Sequence, residues 1–306
     1  MIFEEAYTLP GGICIPKLAL GTWLIENEPT KEAVKNAIQI GYRHIDTAQA
    51  YGNEQGVGEG VRASGVARSD VFVTSKVAAE HKSYRAAMDS IDTSLRTMQF
   101  DYIDLMLIHS PQPWALVNQS DNRYFEENKE VWRAMEDALK AGKVHAIGIS
   151  NFLKEDILNL TADCTVKPMV NQLLAHITNT PFDLLDYCRS QNILVEAYSP
   201  IAHGKALKNP EIERIANKYD VSAAQLCIRY DLQLGMVVLP KTASAEHMRE
   251  NAQLDFMISD EDMETLKGLE HIKDYGDSSF FPFSAESFKN RHKSIGIRES
   301  NPIWFK

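Results

Sequence analysis

The sequence predicts a closed (β/α)8 TIM barrel, on three observations. Short apolar runs alternate with amphipathic stretches about eight times, and eight such units in roughly 250 residues suit a barrel. The runs are nearly all apolar rather than alternating, as expected of parallel strands covered on both faces. No G-x-G-x-x-G follows an early run, which argues against a doubly wound dinucleotide-binding sheet.

Taken in order, residues 7–16 around Pro10-Gly11-Gly12 read as a β-hairpin that can plug the bottom of the barrel. Strands are expected at 18–23, 44–48, 71–77, 102–109, 144–151, 168–174, 194–200 and 237–241. Between them the period becomes helical. Ala33, Val34, Ala37 and Ile38 form one stripe, closed by Gly41. Tyr84, Ala87, Met88, Ile91, Leu95 and Met98 form another behind a Ser83 cap, and Val131, Trp132, Met135 and Leu139 a third, stopped by Gly142. Gly56, Gly58 and Gly60 fall inside a helical stretch and read as close helix packing rather than as a phosphate loop. Thr180-Pro181-Phe182-Asp183 has the form of a capped helix start, and Ser222-Ala223-Ala224-Gln225 that of a capping box. Residues 259–269 give one more helix. The tail from Lys273, with Phe280, Phe281, Pro282 and Phe283, has no clear period and is expected to lie over the barrel mouth. Residues 1–306 read as a single domain, without repeat or linker.

Composition narrows the function. With 42 acidic residues against 32 Lys+Arg, the formal charge is -10, which argues against a nucleic-acid partner. The four cysteines stand far apart, without a C-x-x-C, as buried hydrophobes of a reducing compartment. No basic-then-apolar leader is present and no apolar run approaches ~18 residues, so a soluble, cytoplasmic protein with no membrane partner is expected.

The stretch 41–54, Gly-Tyr-Arg-His-Ile-Asp-Thr-Ala-Gln-Ala-Tyr-Gly-Asn-Glu, carries the chemistry. It sets Asp46 and Tyr51 where the second strand gives way to a loop, and Lys76 and His109 stand at the ends of the next two strands. In such barrels catalytic groups gather at the C-terminal strand ends. Carbonyl reduction by hydride leaves an alkoxide to be protonated, and a phenol with a pKa near ~10 donates poorly at neutrality. An ammonium beside it stabilises the phenolate, and a carboxylate keeps that ammonium charged. Tyr51 is therefore the expected acid, Lys76 its tuner and Asp46 the anchor, with His109 directing the substrate carbonyl.

That stretch also resembles the signature of the aldo-keto reductase family, and the resemblance spans nearly the whole chain. It extends through Asp101-Tyr102-Ile103-Asp104-Leu105 and His109-Ser110-Pro111 to Gly142-Lys143-Val144-His145-Ala146-Ile147-Gly148-Ile149-Ser150-Asn151-Phe152, which is similar to a second signature. Leu239-Pro240-Lys241-Thr242 is similar to a third. The resemblance implies reduction of aldehydes or ketones with a nicotinamide cofactor lying extended across the barrel mouth. It assigns Ser150, Asn151 and Gln172 to the carboxamide, Tyr198 to the nicotinamide ring, and Gly21, Thr22 and Ser199 to the same cofactor. Lys241, Thr242 and Ser244 match the site for the adenosine 2'-phosphate, and Glu250 and Asn251 the adenine contacts.

The chain departs from the family pattern in two places. His247 stands where many members have arginine, a guanidinium that pairs with phosphate and stacks on adenine. NADPH is still favoured because Lys241 remains, with NADH as a second cofactor. Ala78 and Ser110 replace large rings of several members, so the substrate pocket is expected to be wide unless Trp114 or the tail refills it, with Trp23, Ser110 and Trp114 on its wall. His81, His176 and His203 can reach the rim but read first as surface or structural histidines. No metal site is expected, and a monomer is. Two other readings compete. One is a metal-dependent barrel hydrolase, suggested by His44, Asp46 and His109. The other is a non-catalytic nicotinamide-binding redox sensor on the same scaffold, since fold does not fix function.

Overall fold

The computed structural model describes residues 1–117 and 119–272. Two short strands, β1 (Ala6–Leu9) and β2 (Ile13–Pro16), pair antiparallel as the expected hairpin. Eight parallel strands follow: β3 (Leu20–Gly21), β4 (His44–Asp46), β5 (Phe72–Val77), β6 (Ile103–Ile108), β7 (Val144–Ser150), β8 (Val170–Leu174), β9 (Leu194–Tyr198) and β10 (Val237–Leu239). They pair in sequence order, β3 through β10. Parallel bridges from Leu18 to Val238 and from Gly21 to Lys241 join the last strand to the first and close the barrel.

The helices are α1 (Asn27–Ile40), α2 (Glu54–Ala63), α3 (Tyr84–Met98), α4 (Phe125–Lys140), α5 (Lys154–Thr161), α6 (Phe182–Ser190), α7 (Pro210–Lys218), α8 (Ala223–Gln233), α9 (Ala245–Asn251) and α10 (Asp260–Lys267). The apolar stripes read from the sequence are their inner faces: Ala33, Val34, Ala37 and Ile38 are buried on α1, and Val131, Trp132 and Met135 on α4. Ser83 caps α3 and Ser222 caps α8 with its capping box. The Thr180 expectation is corrected. Pro181 is the residue that precedes α6, and Thr180 donates its hydroxyl to the His176 carbonyl instead.

The hairpin does plug the barrel floor. Leu9 and Ile15 pack with Phe72, Leu105, Leu107 and Ala146, so the inward side chains of the sheet are covered from below. The polar end of the barrel is thereby the opposite one, where the strands finish. Close packing fixes the second strand–helix unit. A Cβ at Gly56 would lie 2.2 Å from the Asn27 carbonyl, and one at Gly58 2.2 Å from that of Met98. These glycines let α2 press against α1 and the end of α3, which anchors the loop that carries Tyr51. The expected tail over the mouth, including Phe280 to Phe283, lies outside the described residues.

Candidate active site

Asp46 ends β4, Lys76 is next to last in β5, and His109 follows β6. Tyr51 closes the short 3-10 turn Gln49–Tyr51. Asn53 pins that loop: it accepts from the Thr47 hydroxyl at 2.7 Å and donates to the carbonyls of Thr22 and Ile25, 2.9 Å each. The four side chains meet. The fully buried Lys76 ammonium donates to both Asp46 oxygens at 2.8 Å, to the Thr47 carbonyl at 2.8 Å and to the Tyr51 hydroxyl at 3.3 Å. The rings of Tyr51 and His109 stand edge to face, 5.6 Å apart.

Burial alone would depress Lys76, but Asp46 and Tyr51 hold its pKa above the ordinary lysine value. Burial likewise raises the Tyr51 phenol, and Lys76, which pulls it down by charge and hydrogen bond, offsets only part of that rise. Tyr51 is therefore a fully protonated donor at neutrality, with a cation beside it to receive the phenolate's charge. Burial, with Lys76 nearby, pushes His109 well below the usual imidazole range. The ring is neutral, and its Nδ1 has no partner among the described residues.

Beside this group lies a polar layer whose acid, Glu196, sequence reasoning missed. Gln172 on β8 donates to Asp46 Oδ2 at 2.9 Å and to Glu196 Oε2 at 2.8 Å. Glu196, on β9 directly opposite Gln172 in register, is wholly buried. Its Oε1 lies 3.8 Å from His44 Nε2. That contact is not an ion pair near neutrality. His44 Nδ1 faces the Pro16 carbonyl, an acceptor, so the ring's proton sits there and Nε2 accepts from the Thr74 hydroxyl at 2.9 Å. Burial holds the His44 pKa down to about 4. Burial, together with the Asp46 charge, pushes Glu196 up to about 8. The signal for this layer was present: a lone acid inside the apolar run Leu194-Val195-Glu196-Ala197-Tyr198.

Glu196 gives the fold a pH dependence of definite sign. Its folded pKa is raised, so the native state holds a proton that the unfolded chain releases near 4.5. The contribution of Glu196 to stability falls as pH rises from about 4.5 toward about 8, opposite in sign to that of the buried His44. The stability of the wild type relative to Glu196→Gln is expected to fall over that range, and thermal melts from pH 5 to pH 8 on both proteins check it.

The residues assigned to the nicotinamide gather beside the four. Ser150 donates to the Gln172 carbonyl at 3.0 Å, and Asn151 donates to the His109 carbonyl at 3.0 Å. Tyr198 donates its hydroxyl to Asn151 Oδ1 at 2.8 Å. Thr22 is held by the Asp46 carbonyl at 2.9 Å, and the Ser199 hydroxyl lies 3.3 Å from His203 Nε2. The second set lies on the loop after β10 and on α9, joined to the first by the Gly21–Lys241 pairing. Lys241 is exposed there. Thr242 accepts from the Ser244 amide, Ser244 caps α9 at the His247 amide, and Glu250 and Asn251 end the helix.

On the expected pocket wall, Trp114 meets the His109 ring edge-on at 4.8 Å and Trp23 meets the His203 ring at 5.5 Å. Ser110 is buried, with its hydroxyl accepting the Gln112 amide, so it shapes the turn after β6. His176 is buried completely rather than set at the rim. Among the described residues no helix is long and apolar enough to cross a membrane.

The model of the aldo/keto reductase family matches residues 17–271. The chain belongs to that family. This aldo-keto reductase is 41% identical over 268 residues to the glyoxal reductase of Bacillus subtilis, covering 87% of this chain and 93% of the relative. It is 37% identical to the 9,11-endoperoxide prostaglandin H2 reductase of Trypanosoma cruzi, over 92% of this chain and 97% of that one. Among solved structures, an aldo-keto reductase of Bombyx mori in complex with NADP superposes with a TM-score of 0.80 at 31% identity, covering 90% of this chain and 95% of the other. The chain is thus an oxidoreductase of a family that works with nicotinamide cofactors on carbonyl groups.

Proposed function

We propose that this chain reduces small aldehydes and ketones with NADPH, with Tyr51 as the general acid. The observation that carries the reading is the Lys76 ammonium, fixed by both Asp46 oxygens at 2.8 Å and 3.3 Å from the Tyr51 hydroxyl. The reduced nicotinamide, when bound, supplies the hydride. Tyr51 delivers the proton from its hydroxyl to the carbonyl oxygen, and Lys76 stabilises the phenolate left behind. His109, neutral, offers one ring nitrogen as donor to the same oxygen and holds it toward Tyr51. Trp114 packs edge-on against His109 and walls that side of the site.

The residues present fit the cofactor. Ser150, Asn151 and Gln172 bring amide and hydroxyl groups together beside the tetrad, as a carboxamide requires, and Tyr198 supplies a ring tethered through Asn151. Lys241, Thr242 and Ser244 suit a 2'-phosphate, and His247, Glu250 and Asn251 on α9 would meet the adenine. The resemblance to a glyoxal reductase favours α-dicarbonyls among the substrates, and the absence of large rings at Ala78 and Ser110 leaves room for bulkier or polar carbonyls. A soluble cytoplasmic monomer acting on small molecules completes the reading.

The test follows the oxidation of NADPH and NADH, in parallel, across a panel of aldehydes, ketones and α-dicarbonyls. Turnover with NADPH preferred supports the proposal, and cofactor binding without turnover moves the chain to a sensor. Lys241→Ala is expected to raise KM for NADPH about tenfold, the size of one charge-assisted contact, and to leave KM for NADH nearly unchanged. Equal effects on the two cofactors would remove Lys241 from the phosphate site.

A further inference from the structure

We propose that Glu196 is a positioning residue of the reductase: its buried neutral carboxyl fixes the Gln172 amide so that only the carbonyl oxygen is left for the cofactor. The inference rests on the reading of Gln172 as a carboxamide contact. Gln172 has two N–H bonds, and both are taken, one by Asp46 Oδ2 at 2.9 Å and one by Glu196 Oε2 at 2.8 Å. Asp46, ion-paired with Lys76, can only accept, which turns the amide nitrogen toward it, and from there the second N–H reaches Glu196 Oε2. One acceptor alone would leave the amide free to swing about that single bond. Two acceptors, on β4 and β9, set both its rotation and its flip. What remains is Oε1, an acceptor only, matched to the NH2 of a nicotinamide carboxamide.

The surroundings of Glu196 hold it neutral. His44 Nε2, 3.8 Å from Oε1, spends its one lone pair on the Thr74 hydroxyl and has no proton to give the carboxyl. Oε2 accepts from Gln172, and Oε1 is buried with no hydrogen-bond partner among the described residues, so no donor compensates a charge there. A second charge here would also face Asp46. The neutral carboxyl thus orders Gln172 without competing with Asp46 for Lys76. An amide at the same place can do the same work, whereas an aliphatic side chain cannot.

The test compares binding of NADPH with binding of its 3-acetylpyridine analogue, which lacks the carboxamide NH2, by quenching of protein fluorescence. The wild type is expected to favour NADPH. Glu196→Leu is expected to cut that preference about five- to tenfold, the size of one directed hydrogen bond. Glu196→Gln is expected to restore it, and Gln172→Ala to abolish it so that adding Glu196→Leu changes nothing more. Thermal melts establish that each variant is folded, and Glu196→Met replaces Glu196→Leu if the latter does not fold. Preference lost in Gln172→Ala but intact in the folded aliphatic variant would overturn the role of Glu196 alone. Preference unchanged in Gln172→Ala would overturn the carboxamide reading and this inference with it.

Discussion

Tyr51→Phe is expected to lower kcat about 10²–10⁴-fold while leaving cofactor affinity within about twofold, measured by stopped-flow turnover and by fluorescence titration. The substitution removes one oxygen and little else. The ring keeps its edge contact with His109 at 5.6 Å and its place under the Lys76 cation, 4.9 Å from the ring centre. The ion pair of Lys76 with Asp46 also survives, because its 2.8 Å bonds do not pass through Tyr51. The loss should therefore fall on kcat rather than on KM, as expected when a group acts mainly in the transition state. A variant that turned over at nearly the wild-type rate would transfer the proton donation to another group. His109 would be a poor candidate, since burial keeps it neutral and its proton is needed to hold the carbonyl.

The barrel was legible because its information is local. A buried parallel strand is a short apolar run, and a helix covering it is a stripe, so each unit declares itself within about fifteen residues. The hairpin at 7–16 and the packing role of Gly56 and Gly58 were equally local, set by turn residues and by backbones that must touch. Asp46, Tyr51, Lys76 and His109 could be read because each lies at a strand end and the fold brings consecutive strand ends together. Thr180 misled because a hydroxyl before a proline looks like a cap, whereas the His176 carbonyl four residues back was the better partner. Glu196 was missed for a different reason. Its meaning lies in its register with Gln172 and in the closeness of His44, which come from β8 and β4. An acid inside an apolar strand announces that something must hold it, but not what.

Lys76→Met is expected to cost about 3–5 kcal/mol of stability and at least about 10²-fold in kcat, measured by denaturant unfolding and steady-state turnover. The lysine is wholly buried and Asp46 is 4% exposed, so methionine would leave a carboxyl group facing Gln172 and Glu196 with its cation gone. The sign of the pH effect follows. The lysine's pKa is held above its ordinary value, so the pair persists through neutrality and weakens only when pH climbs through that raised pKa. In the variant the remaining carboxyl is best accommodated protonated, and stability should instead recover as pH falls. Asp46→Asn in the same chain separates the two losses. An amide there leaves no buried charge, so the double variant should regain part of the stability lost by Lys76→Met. It should regain none of the rate, because nothing then stabilises the Tyr51 phenolate. Stability and rate recovering together would mean that Lys76 serves the fold and not the proton transfer. Recovery of stability alone would place the ammonium where the geometry does, 3.3 Å from the hydroxyl whose proton is to leave.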